Sequence, residues 1–161
     1  ELLGSHPHLD LEPCIANVVD LDRMRHVMQT HRPHVVFHAA AHKHVPLMEA
    51  NPTEAVRNNV LGSRNVATLA GELGAEAFVM ISTDKAVNPS NVMGASKRIA
   101  ELFVQSLNSL NGNDTQFITP RFGNVLGSNV FNLGLIVGTA FAIRPGAVPA
   151  FGPLGTTGEA S

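Results

Sequence analysis

His34-Val35-Val36-Phe37-His38-Ala39-Ala40 is an apolar, β-branched run that ends on small residues. A strand buried on both faces of a sheet needs that composition. Working outward, Cys14-Ile15-Ala16-Asn17-Val18-Val19 reads as another short buried strand. Asp20 then caps a helix from Leu21 to Thr30, with Met24, Val27 and Met28 on one face. Downstream, Asn51-Pro52-Thr53-Glu54 predicts a helix start, with Asn51 as cap, Pro52 at the first position and Glu54 completing a capping box. That helix carries Val56, Val60, Leu61, Ala67, Leu69 and Ala70 on its core face and stops near Gly74. Phe78 to Ser82 is a further buried strand, and Val92 to Leu110 a helix whose core face holds Ile99, Phe103, Val104, Leu107 and Leu110. Gln116 to Phe122 closes the series as a strand. Strands and helices in strict alternation imply an α/β fold, a parallel sheet with helices on both faces.

The chain of 161 residues has the length of one domain, and 44% hydrophobic with 15% charged residues suits buried parallel strands. A net charge of −2 argues against a nucleic-acid binder, which would carry a basic face. Cys14 is the single cysteine, so no internal disulfide forms and a reducing, cytoplasmic setting is expected. No apolar run reaches the roughly 18 residues of a membrane span. Glu1-Leu2-Leu3 is neither a signal peptide nor a natural start, which leads one to expect a piece of something longer. From about Asn129 the composition changes: residues 129–161 hold only Arg144 and Glu159 as charged side chains and show no periodicity. The expected division is a domain over 1–128 and a divergent tail over 129–161.

In an open parallel sheet, ligands bind beyond the carboxyl ends of the strands. The residues expected there are Asn17-Val18, Ala39-Ala40-Ala41 with His42-Lys43-His44, Ser82-Thr83-Asp84-Lys85 and Arg121-Phe122-Gly123-Asn124. The alanine run either lets a flat cofactor approach the backbone or serves tight strand–helix packing. Ser82 to Lys85 places a hydroxyl, an acid and a base on consecutive residues, either for acid–base work or as a surface ion pair beside a turn. Met93-x-x-x-Lys97 puts both side chains on one helix face, where the lysine either holds a ribose hydroxyl or is solvated. His38, His42 and His44 are a weak candidate for zinc, since the first lies in a strand and Pro46 follows, and no metal is expected.

The stretches HAAAHKHVPLMEANPTEAVRNNVLGSRNV, ISTDKAVNPSNVMGASKRIAE and PRFGNVLGS closely resemble the bacterial UDP-N-acetylglucosamine 4,6-dehydratases of polysaccharide biosynthesis, which are extended short-chain dehydrogenase/reductases. The resemblance covers Asn17 to Ser128 and implies a Rossmann-like, doubly wound parallel sheet. The sheet is expected to be incomplete, since the first βαβ unit with its Gly-rich turn and the sugar-binding part are missing. Extended members normally carry Tyr-x-x-x-Lys. Here Met93 stands at the tyrosine position, which resembles the long, membrane-anchored branch of the family. The resemblance implies an NAD cofactor, a UDP-sugar substrate, a homo-oligomer, and a lyase reaction giving a 4-keto-6-deoxy sugar.

Carried onto matching positions, it implies that Thr83 bonds the C4 oxygen, Lys85 takes the C5 proton and Asp84 donates to the departing C6 hydroxyl. Lys97 would hold the nicotinamide ribose, and Asn17-Val18 would read the adenine. Ala39, Ala40, Ala41, Lys43 and Ser82 would line the cofactor, and Asn124 would contact the nucleotide diphosphate. Met93 would occupy the catalytic position without exchanging protons. A nucleotide-sugar 4-epimerase and a non-catalytic NAD-binding module are the rival readings.

Overall fold

A computed structural model describes residues 12–109 and 114–122, together with the backbone of 140–143. Helix α1 (Leu21–His31) opens where the Asp20 carboxylate accepts from Arg23 N at 3.0 Å, and it buries Met24 and Met28. It ends at Arg32 in the left-handed region (φ 41°), just before Pro33. Strand β1 (Val35–His38) follows, then a short helix α2 (Val45–Ala50) capped by His44 Nδ1, which accepts from Leu47 N. The long helix α3 runs through Pro52–Ala55, a π segment Val56–Gly62, and Ser63–Glu72. Strands β2 (Ala77–Met80) and β3 (Ser82–Thr83) lead into a 3-10 turn Asp84–Ala86. Helix α4 (Val92–Leu107) precedes β4 (Gln116–Ile118) and β5 (Arg121–Phe122), and β6 is Ala140–Ile143.

The main sheet has the order β4-β2-β1-β6, with β1, β2 and β4 parallel and β6 antiparallel to β1. A second, two-stranded parallel sheet pairs Ser82 with Arg121 and Thr83 with Phe122. This is a Rossmann-like α/β fold. Val36, His38, Phe78, Met80 and Phe117 form the buried face of the main sheet, under Met24, Met28, Val66, Leu69, Ala100 and Val104. Burying one side chain such as Phe78 contributes roughly 1.5–3 kcal/mol. On the opposite face Phe37 and Ile118 are exposed, so the described helices cover one face rather than two.

Several local expectations are corrected. Cys14 to Val19 is not a strand: Asn17 Oδ1 accepts from Val19 N and Asn17 O accepts from Asp20 N, which makes a turn. The capping box at Asn51 does not form, because its side chain donates back to Leu47 O at 3.0 Å and so closes α2. The π segment widens one turn of α3 and rotates its faces. Val56 and Leu61 therefore lie exposed, while Asn59, Gly62 and Ser63 are buried. Finally, Thr119-Pro120 divides the stretch from Gln116 to Phe122 into two strands that serve different sheets. Ile99 is also exposed, and Leu110 lies outside the described residues. Among the described residues no helix is long and apolar enough to cross a membrane.

Candidate active site

Helix α4 explains where the chemistry gathers. Its buried stripe is Met93, Gly94, Ser96, Lys97, Ala100, Glu101, Val104 and Leu107. Beyond Glu101 the stripe is apolar, Val104 and Leu107, and packs into the core. Up to Glu101 the stripe carries a serine, a lysine and a glutamate into the interior, and such groups stay buried only where partners meet them. The buried Lys97 ammonium donates to Ile81 O at 3.2 Å, directly before Ser82. Burial pushes Lys97 down to about 8, against an opposing pull from the Glu101 carboxylate.

The turn after β3 is organised by Thr83, whose hydroxyl donates to Asp84 Oδ1 at 2.9 Å and accepts from Lys85 N at 3.4 Å. Lys85 Nζ lies 3.4 Å from the same Asp84 oxygen. The Thr83 hydrogen bond holds the Asp84 carboxyl below its ordinary value; desolvation opposes it, and the charge and hydrogen bonds of Lys85 add to the lowering. The turn abuts α4 so closely that a Cβ on Gly94 would lie 2.5 Å from Lys85 O. Thr83, Asp84, Lys85 and Lys97 therefore share one end of the sheet. Met93 packs into a small apolar cluster with Met48 and Ala55, flanked by Val45 and Val92.

The loop after β1 is held by the π segment. Asn59 Oδ1 accepts from His42 N at 2.8 Å, while its amide donates to His42 O at 3.1 Å and to Ser96 Oγ at 2.9 Å. Ser63 Oγ donates to Asn59 O, so its lone pair accepts from His38 Nε2 at 2.8 Å. That network assigns the Nε2–H tautomer and leaves the buried Nδ1 as a bare acceptor with no hydrogen-bond partner among the described residues. Burial, and then the charge of Lys97, pushes His38 down to about 3, so it is neutral. Ala40 is buried with Ala39 and Ala41 half-buried beside it, whereas Lys43 is exposed.

Asn17 is exposed, and Val18 belongs to the core. Their turn is seated on α3, where Asn65 Nδ2 donates to the Val18 and Val19 carbonyls, each at 3.2 Å. Ser82 is buried beside Glu101, and Asn124 lies outside the described residues. His38, His42 and His44 do different jobs: a bond to Ser63, a loop bound by Asn59, and a helix cap.

Two groupings escaped the sequence reading. The fully buried Glu101 accepts from Arg121 Nε at 2.9 Å and Nη2 at 2.7 Å, and from Arg98 at 3.0 Å. Cys14 Sγ lies 3.5 Å from His31 Nε2, and Glu12 lies 3.5 Å from Nδ1 of the same ring. A glutamate four residues after Lys97 was a visible signal for the first. Nothing in the spacing announces the second.

Comparisons with known proteins bear on the fold and the family. The capsular polysaccharide biosynthesis protein CapD of Staphylococcus aureus is 61% identical over 120 residues, which is 74% of this chain and 20% of that protein. A UDP-N-acetylglucosamine 4,6-dehydratase (inverting) of Campylobacter jejuni is 40% identical over 121 residues, 72% of this chain and 36% of that protein. The X-ray structure of Pen from Bacillus thuringiensis superposes with a TM-score of 0.70 at 34% identity, covering 78% of this chain and 39% of that one. The chain thus spans about a fifth to a third of the length of these curated relatives. With the sequence profile of that family matching residues 3–132, the chain belongs to the polysaccharide biosynthesis protein family.

Proposed function

We propose that the parent protein is an NAD-dependent nucleotide-sugar 4,6-dehydratase, a lyase that converts a UDP-N-acetylglucosamine-type sugar into its 4-keto-6-deoxy product. The observation that carries this reading is the bond from Lys97 to Ile81 O. It brings a buried lysine against the strand that feeds Thr83, Asp84 and Lys85.

The residues present fit the nicotinamide side of a dinucleotide. Ala39, Ala40 and Ala41 offer backbone without bulky side chains beside the strand end, and Lys97 has one described hydrogen bond for three protons. Lys97 would hold the ribose, with Ser82 and Lys43 nearby on the cofactor side and Asn17-Val18 toward the adenine. The dinucleotide supplies a hydride acceptor that returns the hydride within one turnover. Asn124 is assigned to the nucleotide diphosphate. By resemblance to the long branch of the family, the parent works as a homo-oligomer anchored at the cytoplasmic face of a membrane.

The acid–base pair has a simple proton balance. An ionised Asp84 beside a protonated Lys85 holds the same number of protons as a neutral acid beside a neutral amine. Water excluded by a bound sugar favours the neutral pair, because burying separated charges is costly. One proton passing along the Lys85–Asp84 contact therefore readies Lys85 to take the C5 proton and Asp84 to protonate the departing C6 hydroxyl. Thr83, bonded to both partners, would reach the C4 oxygen. The proton on that oxygen leaves by way of Asp84 or a Thr83-linked water as C4 gives up its hydride. One proton is thus released there for the one consumed at the C6 hydroxyl. Met93 exchanges no proton and fills an apolar site.

The test is product analysis of the full-length protein with UDP-N-acetylglucosamine and NAD. A 4-keto-6-deoxy sugar is expected, and Lys85→Met should lower its rate by about 10²–10⁴-fold. A C4 epimer that keeps its 6-hydroxyl would favour the epimerase reading. Nucleotide binding without turnover would leave a non-catalytic module.

A further inference from the structure

We propose that Glu101 is a positioning residue of this site: it ties helix α4 to the strand pair that presents Thr83, Asp84 and Lys85, and it supplies the buried counter-charge to Lys97. The inference deepens the dehydratase reading and rests on it for its catalytic half.

Glu101 follows Lys97 by four residues on α4, so the two share a face, and both are buried. Its carboxylate takes both arms of Arg121, at 2.9 and 2.7 Å, the fork geometry in which a guanidinium fixes direction as well as charge. Arg121 lies on β5, opposite Ser82 on β3. The chain of contacts runs from Lys97 along one helical turn to Glu101, across to Arg121, and over one strand pair to Ser82 and Thr83. A shift of Glu101 therefore moves the lysine and the acid–base turn relative to each other.

The charges complete the case. Lys97 is faced by Glu101 from its own helix, by neutral His38 from β1 and by the Ile81 carbonyl. Glu101 is faced by Arg98 from α4, Arg121 from β5 and the Ser82 hydroxyl from β3. Burial alone would raise the Glu101 carboxyl, but the hydrogen bonds from Arg121 and Arg98 hold it below its ordinary value. Glu101 is the described anion that opposes the loss of the Lys97 proton. An apolar residue of similar volume would serve packing equally well, since buried ion pairs contribute little net stability. The glutamate is therefore accounted for by what it does to its neighbours.

The experiment uses the full-length protein and two readouts. Competitive acetylation of Lys97 by acetic anhydride across pH, followed by peptide mass spectrometry, needs no substrate. The pH profile of kcat/KM reads the same group during turnover. Glu101→Gln keeps the shape and removes the charge. It should move the Lys97 labelling midpoint to lower pH by about 1 unit, and the alkaline limb of the profile should move with it. Glu101→Asp should restore the midpoint toward wild type while lowering kcat, because the shorter arm keeps the charge but misplaces the fork. It also serves if Glu101→Gln fails to fold. A Glu101→Gln midpoint at the wild-type value, or a Glu101→Asp midpoint displaced as far as that of Glu101→Gln, overturns the inference. Wild-type protein that turns over no nucleotide sugar would sink the dehydratase reading, while the labelling would still decide the role of Glu101 toward Lys97.

Discussion

Lys97 Nζ and Ile81 O, 3.2 Å apart, join the interior face of a helix to the end of a strand 16 residues earlier. The bond sets an ammonium in the protein interior, and burial lowers its affinity for the proton from the ordinary 10.5 to about 8.

That displacement has a definite sign. Between about pH 8 and 10.5 the unfolded chain still holds the proton that the folded chain has released. Stability contributed by this group therefore rises with pH through the window, and below it the full cost of the buried charge is present. The difference in unfolding free energy between wild type and Lys97→Met should change by as much as about 3 kcal/mol from pH 7.5 to pH 10.5, in favour of wild type at the higher pH. Urea unfolding of both proteins across that range measures it. A difference that stays constant with pH would mean that Lys97 is solvated.

How far the sequence could be read depends on which physical signal each residue carries. The strands at Val35 and Ala77 were legible because β-branched runs bounded by small residues have few other uses. The acid–base turn was legible because Thr83, Asp84 and Lys85 are adjacent, so no folding knowledge was needed to bring them together. Val56, Leu61 and Ile99 were misplaced for one shared reason. Helical periodicity presumes an unbroken 3.6-residue turn and one covered face, whereas α3 contains a π segment and α4 turns polar residues inward. Asn59, Ser63 and His38 form a network across 25 residues that no local pattern encodes. Cys14 to Val19 has strand composition, but a strand needs a neighbour, and the turn at Asn17 forms instead.

Gly62 is a close-approach glycine. A Cβ there would lie 2.6 Å from Val18 Cγ2 and 3.3 Å from Val18 Cβ. Valine is stiff about χ1 and cannot swing aside at little cost. Gly62→Ala should destabilise the protein by about 1–3 kcal/mol even though alanine is the better helix former. Combined with Val18→Ala, the 2.6 Å overlap disappears and only the 3.3 Å approach to Cβ remains. The double variant should then be more stable than the sum of the single effects by about 1 kcal/mol or more. Chemical denaturation of the four proteins gives the coupling, and additive costs would place the clash elsewhere.

Gly94 makes the corresponding contact at the site itself, and its partner is backbone. An added Cβ would meet Lys85 O at 2.5 Å, Lys85 C at 3.3 Å and Pro89 Cβ at 3.3 Å. A carbonyl cannot rotate out of the way as a side chain can, so either the first turn of α4 or the Asp84–Ala86 turn has to move. The helix start resists, because Asn91 Oδ1 accepts from Gly94 N at 2.8 Å and fixes the cap. The acid–base turn is the softer element, a 3-10 helix of three residues that begins at the exposed Asp84. Gly94→Ala should therefore displace Lys85 and Asp84 more than it unfolds the protein. The expected signature is a stability loss similar to that of Gly62→Ala, about 1–3 kcal/mol, with a much larger fall in kcat of about 10²-fold, since a misplacement near 1 Å is enough for that. Parallel denaturation and turnover measurements on the two glycine variants separate the effects. Equal kcat for Gly94→Ala and Gly62→Ala would show that the closeness of Lys85 to α4 has no bearing on the chemistry.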